Sequence, residues 1–397
     1  MKTVLQINTV LNKGSVGRIV QGIGEVLIAN GWKSYIAYAR YAGKSNSHLI
    51  KIGNYSSVLC HALATRLTDR HGLFSMSSTR NLIMQIETIK PDIIHLHNLH
   101  GYYLNYAILF DYLFHSNIPV VWTLHDCWSF TGHCVYFDYC NCSKWKNGCF
   151  ECPQINTYPS AYFDKSRSNY LNKKQAFTSI KNIKFVPVSH WLNGLLKQSF
   201  FKNYPSVMVH NGIDLSKFSL NNNLSFDELK GKFLLLGVAN VWEKRKGLYD
   251  FIKLSHLLSQ EFVIILIGLT KKQIKECPSN VIGISHTKDI SELVSYYNRA
   301  DIFLNLTYED NFPTTNLEAI ACGTPVITYN TGGSPESVFP DNGYVVEKGD
   351  INAIISCINK LRCNRALDTS MLRAYAQTHF DQNECFQEYL KIYNSLL

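Results

Sequence analysis

Two stretches in the second half of the chain combine residue types that bind phosphate groups and sugar hydroxyls. The run 244–247, Lys-Arg-Lys-Gly, places three adjacent cations beside a glycine, which suits an anionic ligand lying close to the backbone. Asp310 and Glu318 lie eight positions apart, and carboxylates accept hydrogen bonds well from sugar and ribose hydroxyls. Each feature alone is also typical of a solvated surface or of an acid that caps a helix. Together they predict a site for a phosphorylated sugar.

A predicted helix start between the two carboxylates strengthens this interpretation. Residues 302–306 have the pattern of a strand and residues 316–322 that of a helix. The backbone N–H groups around Phe312, Thr314 and Thr315 would then lie at a helix N-terminus, which is a favourable place for a diphosphate.

The first half contributes a glycine-containing turn and several histidines. Gly14 and Gly17 lie between the first predicted strand and helix, where glycine lets the backbone approach phosphates or a sugar; a bare tight turn is the alternative. His125 ends a predicted strand, and ligands of open α/β sheets bind at the carboxyl ends of strands. His97 and Asn98 follow another strand and are predicted to line an acceptor pocket. Isolated histidines are, however, also common as satisfied core or surface residues.

Six of the twelve cysteines fall between Cys127 and Cys152. The spacing Cys134-x7-Cys142-x6-Cys149-x2-Cys152 can enclose a tetrahedral zinc ion, and we predict structural zinc there. Cys140 is interpreted as a bystander that could replace Cys142. Free buried thiols and redox chemistry remain the alternatives. Disulfides are not expected, because no signal peptide is recognised at the N-terminus.

Short apolar strands alternate with helical stretches, which predicts a parallel α/β architecture in two series. The predicted strands are Val4–Ile7, Ser34–Tyr38, Ile93–His97, Val120–Leu124 and Phe185–Pro187, then Phe233–Gly237, Val263–Gly268, Ile302–Leu306 and Val326–Tyr329. The predicted helices include Val16–Asn30, Arg80–Ile89, Leu248–Leu258, Ile290–Arg299 and Asn316–Cys322. We expect a first domain at 1–204 with a cysteine-rich insertion at 127–153, a second domain at 205–375, and a helix in 376–397 that returns to the first domain.

Composition narrows the class of protein. With 46% hydrophobic and 17% charged residues, the chain is expected to be globular. The net charge of +9 lies in the first half, where Met1–His190 holds 19 Lys and Arg against 9 Asp and Glu. An anionic membrane surface or a lipid diphosphate would suit that charge, although ordinary solubility charge explains it too. The sequence has no basic run interleaved with aromatic residues of the kind that would indicate nucleic-acid binding. It also has no apolar stretch long enough to span a membrane.

Four motifs, in order and spacing, resemble glycosyltransferase family 4. They are Gly237…Arg245-Lys246-Gly247, Asp310-x7-Glu318, Ala321-Cys-Gly-Thr-Pro-Val326 and Thr331-Gly-Gly-Ser-Pro-Glu336. The resemblance covers nearly the whole chain and implies the GT-B fold, with two facing Rossmann-like domains and an interdomain cleft. The cysteine pattern also resembles an insertion found in a subset of bacterial polysaccharide transferases.

The resemblance assigns roles to the candidate residues. Arg245 and Lys246 would neutralise the donor diphosphate, Glu318 would bind the ribose, and Asp310 would contact the transferred sugar. His125 would position a donor hydroxyl at the reacting sugar. Two positions depart from the family pattern: Asp310 stands where a glutamate is usual, and Asn240 stands where a basic residue is often found.

The implied activity is a retaining hexosyl transfer from a UDP- or GDP-sugar to a glycan acceptor, with no catalytic metal. A lipid-linked acceptor in bacterial surface polysaccharide synthesis (O-antigen, capsule or colanic acid) is expected. The protein would then be cytoplasmic and peripheral on the inner face of the cytoplasmic membrane. The base of the nucleotide would be read around Ile282–His286. A non-catalytic zinc-stabilised scaffold and another GT-B enzyme, such as a nucleotide-sugar epimerase, remain the alternatives.

Overall fold

The computed structural model describes residues 1–220, 229–363 and 368–397. The chain divides into two compact units, of which the first comprises Met1–His210 with Phe386–Leu397 and the second comprises Asn211–Cys385. The predicted second domain, 205–375, includes residues 221–228 and 364–367, which lie outside the described residues.

The first unit is built on a parallel sheet of six strands, arranged in the order β5-β3-β1-β6-β7-β8. Two further short strands, β2 and β4, pair separately. The strands are β1 (Thr3–Ile7), β2 (Val10–Leu11), β3 (Lys33–Tyr38), β4 (Tyr41–Ala42), β5 (His48–Lys51), β6 (Ile93–Leu96), β7 (Val120–Leu124) and β8 (Ile183–Pro187). The strands β1, β6 and β7 consist wholly of buried residues, as expected inside a parallel sheet covered on both faces.

Helices connect these strands. They are α1 (Gly14–Ala29), α2 (Tyr55–Thr68), α3 (Met76–Ile89), α4 (Tyr106–Ser116), α5 (Ser166–Phe177) and α6 (His190–Leu196). Within the described part of the chain, every helix is too short or too polar to cross a lipid bilayer.

The second unit repeats the parallel architecture, with the strand order β11-β10-β9-β12-β13-β14. Its strands are β9 (Phe233–Val238), β10 (Phe262–Ile267), β11 (Val281–Ile284), β12 (Ile302–Asn305), β13 (Val326–Tyr329) and β14 (Gly343–Val346). Its helices are α7 (Leu248–Leu257), α8 (Lys271–Lys275), α9 (Ile290–Arg299), α10 (Thr314–Ala321), α11 (Ile351–Cys363) and α12 (Thr369–His379). The loop predicted at Ile282–His286 is wrong in its first part, because an edge strand runs to Ile284.

Strand order explains why residues far apart in sequence lie at one edge of each sheet. In the first unit, β1, β6 and β7 are neighbours, with Ile7 opposite Leu96 and Leu96 opposite Trp122. In the second unit, β9, β12 and β13 are neighbours. Because parallel strands end at the same edge, the loops that follow these strands are brought together within each unit.

The last helix, α13 (Gln382–Asn394), begins in the second unit and ends in the first. Its tyrosines join the core of the first unit. Tyr393 OH lies 2.6 Å from Nδ1 of His95, and Thr123 Oγ1 donates to Tyr389 OH at 3.1 Å. Residues at the end of the chain thus hydrogen-bond to strands at the centre of the first sheet.

Candidate active site

In the second unit, the three cations form one 3-10 turn, Lys244–Lys246, that follows β9. Gly247 closes the turn with φ 74°, and a Cβ atom there would lie 2.0 Å from the carbonyl oxygen of Leu306. Only glycine therefore fits between this turn and the end of β12. The Tyr308 N–H donates to the Arg245 carbonyl at 2.7 Å, which fastens the two loops to each other.

Lys246, one of the two cations predicted to bind the phosphates, contacts Asp310, the carboxylate predicted to bind the sugar. Lys246 Nζ lies 2.7 Å from Asp310 Oδ2, and about a fifth of each side chain is exposed. A partly exposed ion pair adds little stability, so its main consequence is positional. Arg245 lies beside it, with Nη1 3.4 Å from the Glu309 carbonyl and Nε 3.1 Å from Glu243 Oε2.

A turn after β13 fixes the backbone of Asp310. A Cβ atom at Gly332, which has φ 53°, would lie 1.7 Å from the Asp310 carbonyl oxygen. The Gly333 N–H donates to the same oxygen at 3.2 Å, and Thr331 Oγ1 donates to the Tyr308 carbonyl at 2.8 Å. The glycines of the Thr-Gly-Gly motif therefore allow the close contact that positions the Asp310 loop.

The side chain of Tyr308 is anchored by a buried aspartate that the sequence did not reveal. Asp250 Oδ2, on α7, accepts from Tyr308 OH at 2.7 Å and from Tyr329 OH at 2.8 Å. Burial and then the hydrogen bond to Asp250 raise the pKa of Tyr329, so its phenol stays a donor. Asp250 lies in the first turn of a helix, where an acid is usually explained by the helix dipole.

Helix α10 begins at Thr314, two residues before the predicted start at Asn316. Glu318 lies one turn later and is only 1% exposed. Its Oε2 accepts from Tyr297 OH at 3.0 Å, and its Oε1 accepts from Thr314 Oγ1 at 3.3 Å. The carboxylate predicted to bind a ribose is thus held in one orientation by two hydroxyl donors.

The predicted glycine turn in the first unit is part of α1 instead of preceding it, which corrects the sequence prediction. Gly14 is the first residue of the helix and has φ 65°, a conformation that favours glycine. Gly17 is buried, and a Cβ atom there would lie 3.2 Å from the backbone nitrogen of Asn12. The Asn12 N–H donates to the Gly17 carbonyl at 2.9 Å, so the chain is tightly packed where it enters the helix.

His125 follows β7 and belongs to a chain of buried polar side chains. Its Nε2 lies 3.1 Å from Nδ1 of His97, and the two rings stack with their centroids 5.4 Å apart. His97 Nε2 in turn lies 3.1 Å from Oε1 of Gln6. His97, predicted to line an acceptor pocket, is only 1% exposed and supports the ring of His125 from behind.

The direction of these hydrogen bonds follows from Gln6. Its Nε2 lies 3.1 Å from the Val20 carbonyl, which can only accept, so the amide oxygen must face His97. His97 Nε2 therefore carries the proton, and its Nδ1 is the acceptor. It follows that His125 donates from Nε2 and presents Nδ1 as its own acceptor atom.

Burial keeps this chain of rings neutral. It lowers the pKa of His125 to about 4, which the nearby Asp126 charge opposes and His100 reinforces. Burial also lowers the pKa of His97 well below its ordinary value, with His95 adding to the effect. At neutral pH, the rings of His97 and His125 are thus uncharged.

The remaining predicted acceptor residue lies beside His125. His97, Asn98 and His125 line one small cavity. Its wall includes a hydrogen bond in which His100 Nε2 lies 2.6 Å from Asp126 Oδ2.

The predicted metal-binding cysteines share a different cavity of the first unit. Cys134, Cys142, Cys149 and Cys152 line one small space together with His133, and all four are free thiols. Among the residues that the structure describes, no three of their sulfur atoms lie within 4.8 Å of one another. The four side chains therefore face one space without forming a closed tetrahedron.

Within the second unit, the structure thus brings the predicted donor residues to one edge of the sheet. In the first unit, His125, His97 and Asn98 meet at one cavity, whereas the cysteines line another. Sequence reasoning missed Gln6 and Asp250. A single amide within the apolar strand Thr3–Ile7 was the available signal for Gln6.

Two family models match the chain. The model for Glycosyltransferase Family 4 matches residues 16–217, just over half of the chain. The model for group 1 glycosyl transferases matches residues 232–364, which include the cationic turn and α10.

Individual proteins match over the full length of the chain. The putative colanic acid biosynthesis glycosyl transferase WcaC of Escherichia coli (strain K12) is 24% identical over 415 residues, which cover 99% of this chain and 100% of that protein. The structure of sucrose-phosphate synthase from Thermosynechococcus elongatus matches with a TM-score of 0.72 at 16% identity, over 100% of this chain and 99% of that chain. Anabaena HepE in complex with UDP-glucose matches with a TM-score of 0.66 at 13% identity, over the whole of both chains.

Proposed function

Because the chain belongs to glycosyltransferase family 4 and has the GT-B fold, we propose that it moves a hexose from a UDP- or GDP-sugar to a glycan hydroxyl in bacterial polysaccharide biosynthesis. The likeness to a colanic acid transferase over the full chain supports the pathway class. The likeness to a protein solved with UDP-glucose supports a nucleotide-sugar donor.

The observation that carries this proposal is the pairing of Lys246 with Asp310 beside Arg245. Cations neutralise the charge of a diphosphate. The hydroxyl groups of the sugar attached to it need hydrogen-bond acceptors close to those cations. In the proposed complex, Lys246 and Arg245 turn to the two phosphates, and Asp310 accepts from a hydroxyl of the sugar. The start of α10, at Phe312, Thr314 and Thr315, adds backbone donors to the diphosphate.

The nucleoside is assigned to the buried end of the same site. Glu318 is already oriented by two hydroxyl donors, and a carboxylate accepts well from the vicinal hydroxyls of a ribose. A carboxylate that is held in place loses little side-chain entropy when the ligand binds.

We assign His125 to the transferred sugar. Its neutral ring contacts a hydroxyl of that sugar, while His97 and Gln6 hold the ring in place. His97 then acts as a positioning residue, and Asn98 faces the acceptor side. Gly14 and Gly17 let the start of α1 approach the donor.

The proposed reaction retains the configuration of the anomeric carbon. The bond from that carbon to the phosphate oxygen breaks, and the bond to the acceptor oxygen forms on the same face. The leaving diphosphate takes the proton of the acceptor hydroxyl, and Arg245 and Lys246 stabilise its growing charge. The chain contributes charge stabilisation and alignment, which are large contributions to catalysis, and this role needs no catalytic metal ion.

We propose that the acceptor is lipid-linked and that the protein is peripheral on the inner face of the cytoplasmic membrane. Helix α2 supports this, because its apolar side chains face away from its own unit. Leu59, Leu63 and Leu67 recur every four residues and are 48%, 57% and 57% exposed, whereas the buried positions are His61 and Thr65.

Aromatic residues extend the apolar surface at the end of α2. The guanidinium of Arg66 lies 4.7 Å from the ring centroid of Tyr162, and Tyr162 and Phe163 are 64% and 63% exposed. The exposed leucines, with aromatic residues and a cation beside them, form the apolar surface that we assign to membrane contact. The excess positive charge of the first half would draw this face to anionic lipids.

A panel of UDP- and GDP-sugars tests the assigned activity. The full-length protein should be stabilised against thermal unfolding by at least one of these donors, because ligands that bind only the folded state raise its stability. The same donor should release its nucleotide slowly in water and faster with a lipid diphosphate-linked glycan. Neither stabilisation nor nucleotide release with any donor would contradict the assignment.

A further inference from the structure

The cysteine-rich segment of the first unit has no part in the proposed transfer, and its chemistry points to a separate site. The four thiols of Cys134, Cys142, Cys149 and Cys152 face one cavity. Cys140, in the same segment, is bound differently, because its Sγ donates to the Phe137 carbonyl at 3.3 Å. The segment thus contains four thiols directed to one space and one that is engaged elsewhere.

The cavity has a hydrogen-bond donor against one of its sulfur atoms and a buried lysine behind it. The Gly132 N–H donates to Cys149 Sγ at 3.1 Å. A Cβ atom at position 132 would lie 2.6 Å from that of Cys149, so the approach requires glycine. Behind the segment, the fully buried ammonium of Lys173 donates to the carbonyls of Trp128 and Thr131, at 2.7 and 3.1 Å. The Gly132 N–H thus holds one of the four sulfur atoms at the wall of the cavity.

His133 provides an independent indication of a ligand. Its Nδ1 lies 2.5 Å from Asp69 Oδ1, and both side chains are fully buried. Asp69 Oδ2 is already occupied by the Lys165 N–H at 2.8 Å. The other ring nitrogen, Nε2, is buried and has no hydrogen-bond partner, yet His133 lines the cysteine cavity. A buried polar atom left without a partner is costly, so its presence here requires an explanation.

We propose that this cavity binds one Zn²⁺ ion through the thiolates of Cys134, Cys142, Cys149 and Cys152, and that His133 donates from Nε2 to a metal-bound sulfur. Asp69 fixes the ring through Nδ1. Side chains that hydrogen-bond to metal ligands orient those ligands and tune the properties of the metal ion. The site holds the insertion together and leaves the transfer chemistry to other residues.

Binding changes the cluster in a defined way. Each of the four thiols loses its proton as it binds the ion, so zinc uptake releases protons to solvent. A zinc–sulfur distance of about 2.3 Å brings the sulfurs to within about 4 Å of one another. Because no three of these sulfurs lie within 4.8 Å in the described structure, the side chains must turn inward as the ion binds.

The ligand set is tested by metal analysis of the full chain, purified without chelators. The native protein and Cys140→Ala should each contain about one zinc ion per chain, and Cys142→Ala should have lost most of it. The comparison is matched, because positions 140 and 142 lie in one turn and only the second faces the cavity. Native protein that contains no zinc and takes up none would overturn the proposal, as would a full complement of zinc in Cys142→Ala.

Cobalt substitution covers the case in which Cys142→Ala does not fold. Co²⁺ added to native apoprotein should give the spectrum of a tetrahedral site with four sulfur ligands. A spectrum of three sulfurs and one nitrogen would contradict the assigned set, because it would make His133 a ligand. His133→Gln should still bind one ion. Competition with a chelator should show that its affinity for the ion is about 10- to 100-fold weaker than that of the native protein. Unchanged affinity in that variant would remove His133 from the site.

Discussion

Lys246 is held against Asp310, whereas Lys244, two positions earlier in the same turn, points to solvent. Lys246→Met should lower kcat/KM for the nucleotide sugar by about 10- to 100-fold, since a hydrogen bond to a charged group contributes about 1.5–3 kcal/mol. Lys244→Met removes the same charge from the same turn and should stay within about twofold of the native value. Steady-state kinetics on both variants checks this. Equal losses would mean that only the net charge of the turn matters.

Gln6 acts on His125 through His97, and its effect is specific to the tautomer. Gln6→Met keeps the volume but removes the acceptor for the His97 Nε2 proton. We expect kcat/KM to fall about 10-fold, because breaking a buried hydrogen bond costs about 1–3 kcal/mol. Nitrogen NMR of the imidazole rings should show a single Nε2–H tautomer of His125 in the native protein and a mixture in the variant.

Leu5→Met is the matched control for Gln6→Met. Leu5 is the neighbouring residue of the same strand and is fully buried. The control should leave the tautomer unchanged even if the core is slightly perturbed. If both variants lost activity equally and His125 kept one tautomer in each, the positioning role of Gln6 would be wrong.

Among single residues, the sequence predicted those that belong to a motif and missed those that act through a residue far away in the sequence. Arg245, Lys246 and Asp310 were predicted from short motifs and their resemblance to a family, and the structure places them side by side; their roles stay a prediction. Gln6 and His97 are 91 positions apart, and only the strand order of the sheet brings them together. Hydrogen bonds across strands leave no local pattern in one sequence.

Among the helices and strands, α2 is a case in which the spacing of apolar residues does not indicate which face is buried. Its leucines lie four residues apart, which is typical of a helix with a buried apolar face, yet they face outward. The buried positions include His61 and Thr65, so the polar side chains make the internal contacts. By contrast, β7 and α9 have the predicted bounds, because their apolar residues face the core and are flanked by clear breaks.

The exposed leucines of α2 lead to a prediction about membrane binding. Replacing Leu59, Leu63 and Leu67 with glutamine should reduce binding to vesicles of anionic lipid by at least about 100-fold, because each inserted leucine contributes about 1.5–3 kcal/mol. Thermal stability should hardly change, since these side chains are exposed in the fold. Co-sedimentation with vesicles measures the binding.

A double variant in the second unit is the control for this surface. Leu257 and Met371 are 55% and 57% exposed, and replacing both with glutamine should leave vesicle binding unchanged. Equal binding by the native protein and the leucine variant would exclude α2 as the membrane-contacting surface.

The molecule as a whole should be sensitive to acid because of its buried histidines. Burial lowers the pKa of His61 and His125 to about 4, and lowers the pKa of His71, His95 and His97 well below its ordinary value. The folded state therefore binds fewer protons than the unfolded state below pH 6.5. Each such histidine removes up to about 1.4 kcal/mol of stability per pH unit as the pH falls from 6.5 towards 4.

Urea unfolding at pH 6.5, 5.5 and 4.5 measures this loss. The free energy of unfolding should fall steeply across the series, and more steeply than one histidine could produce. A free energy that stayed constant to pH 4.5 would mean that these rings are protonated in the folded state. That result would also remove the neutral His125 on which the proposed contact with the sugar depends.

Hydrogen exchange with bound nucleotide tests the central claim, that the second unit holds a nucleotide diphosphate between the cationic turn and the start of α10. Exchange is measured on the full chain with and without saturating UDP or GDP. With at least one of the two, residues 244–247 and 308–318 should become protected, and the protection should be much weaker in Lys246→Met than in Lys244→Met. Binding that protected only the first unit, or left both stretches unchanged, would contradict the account.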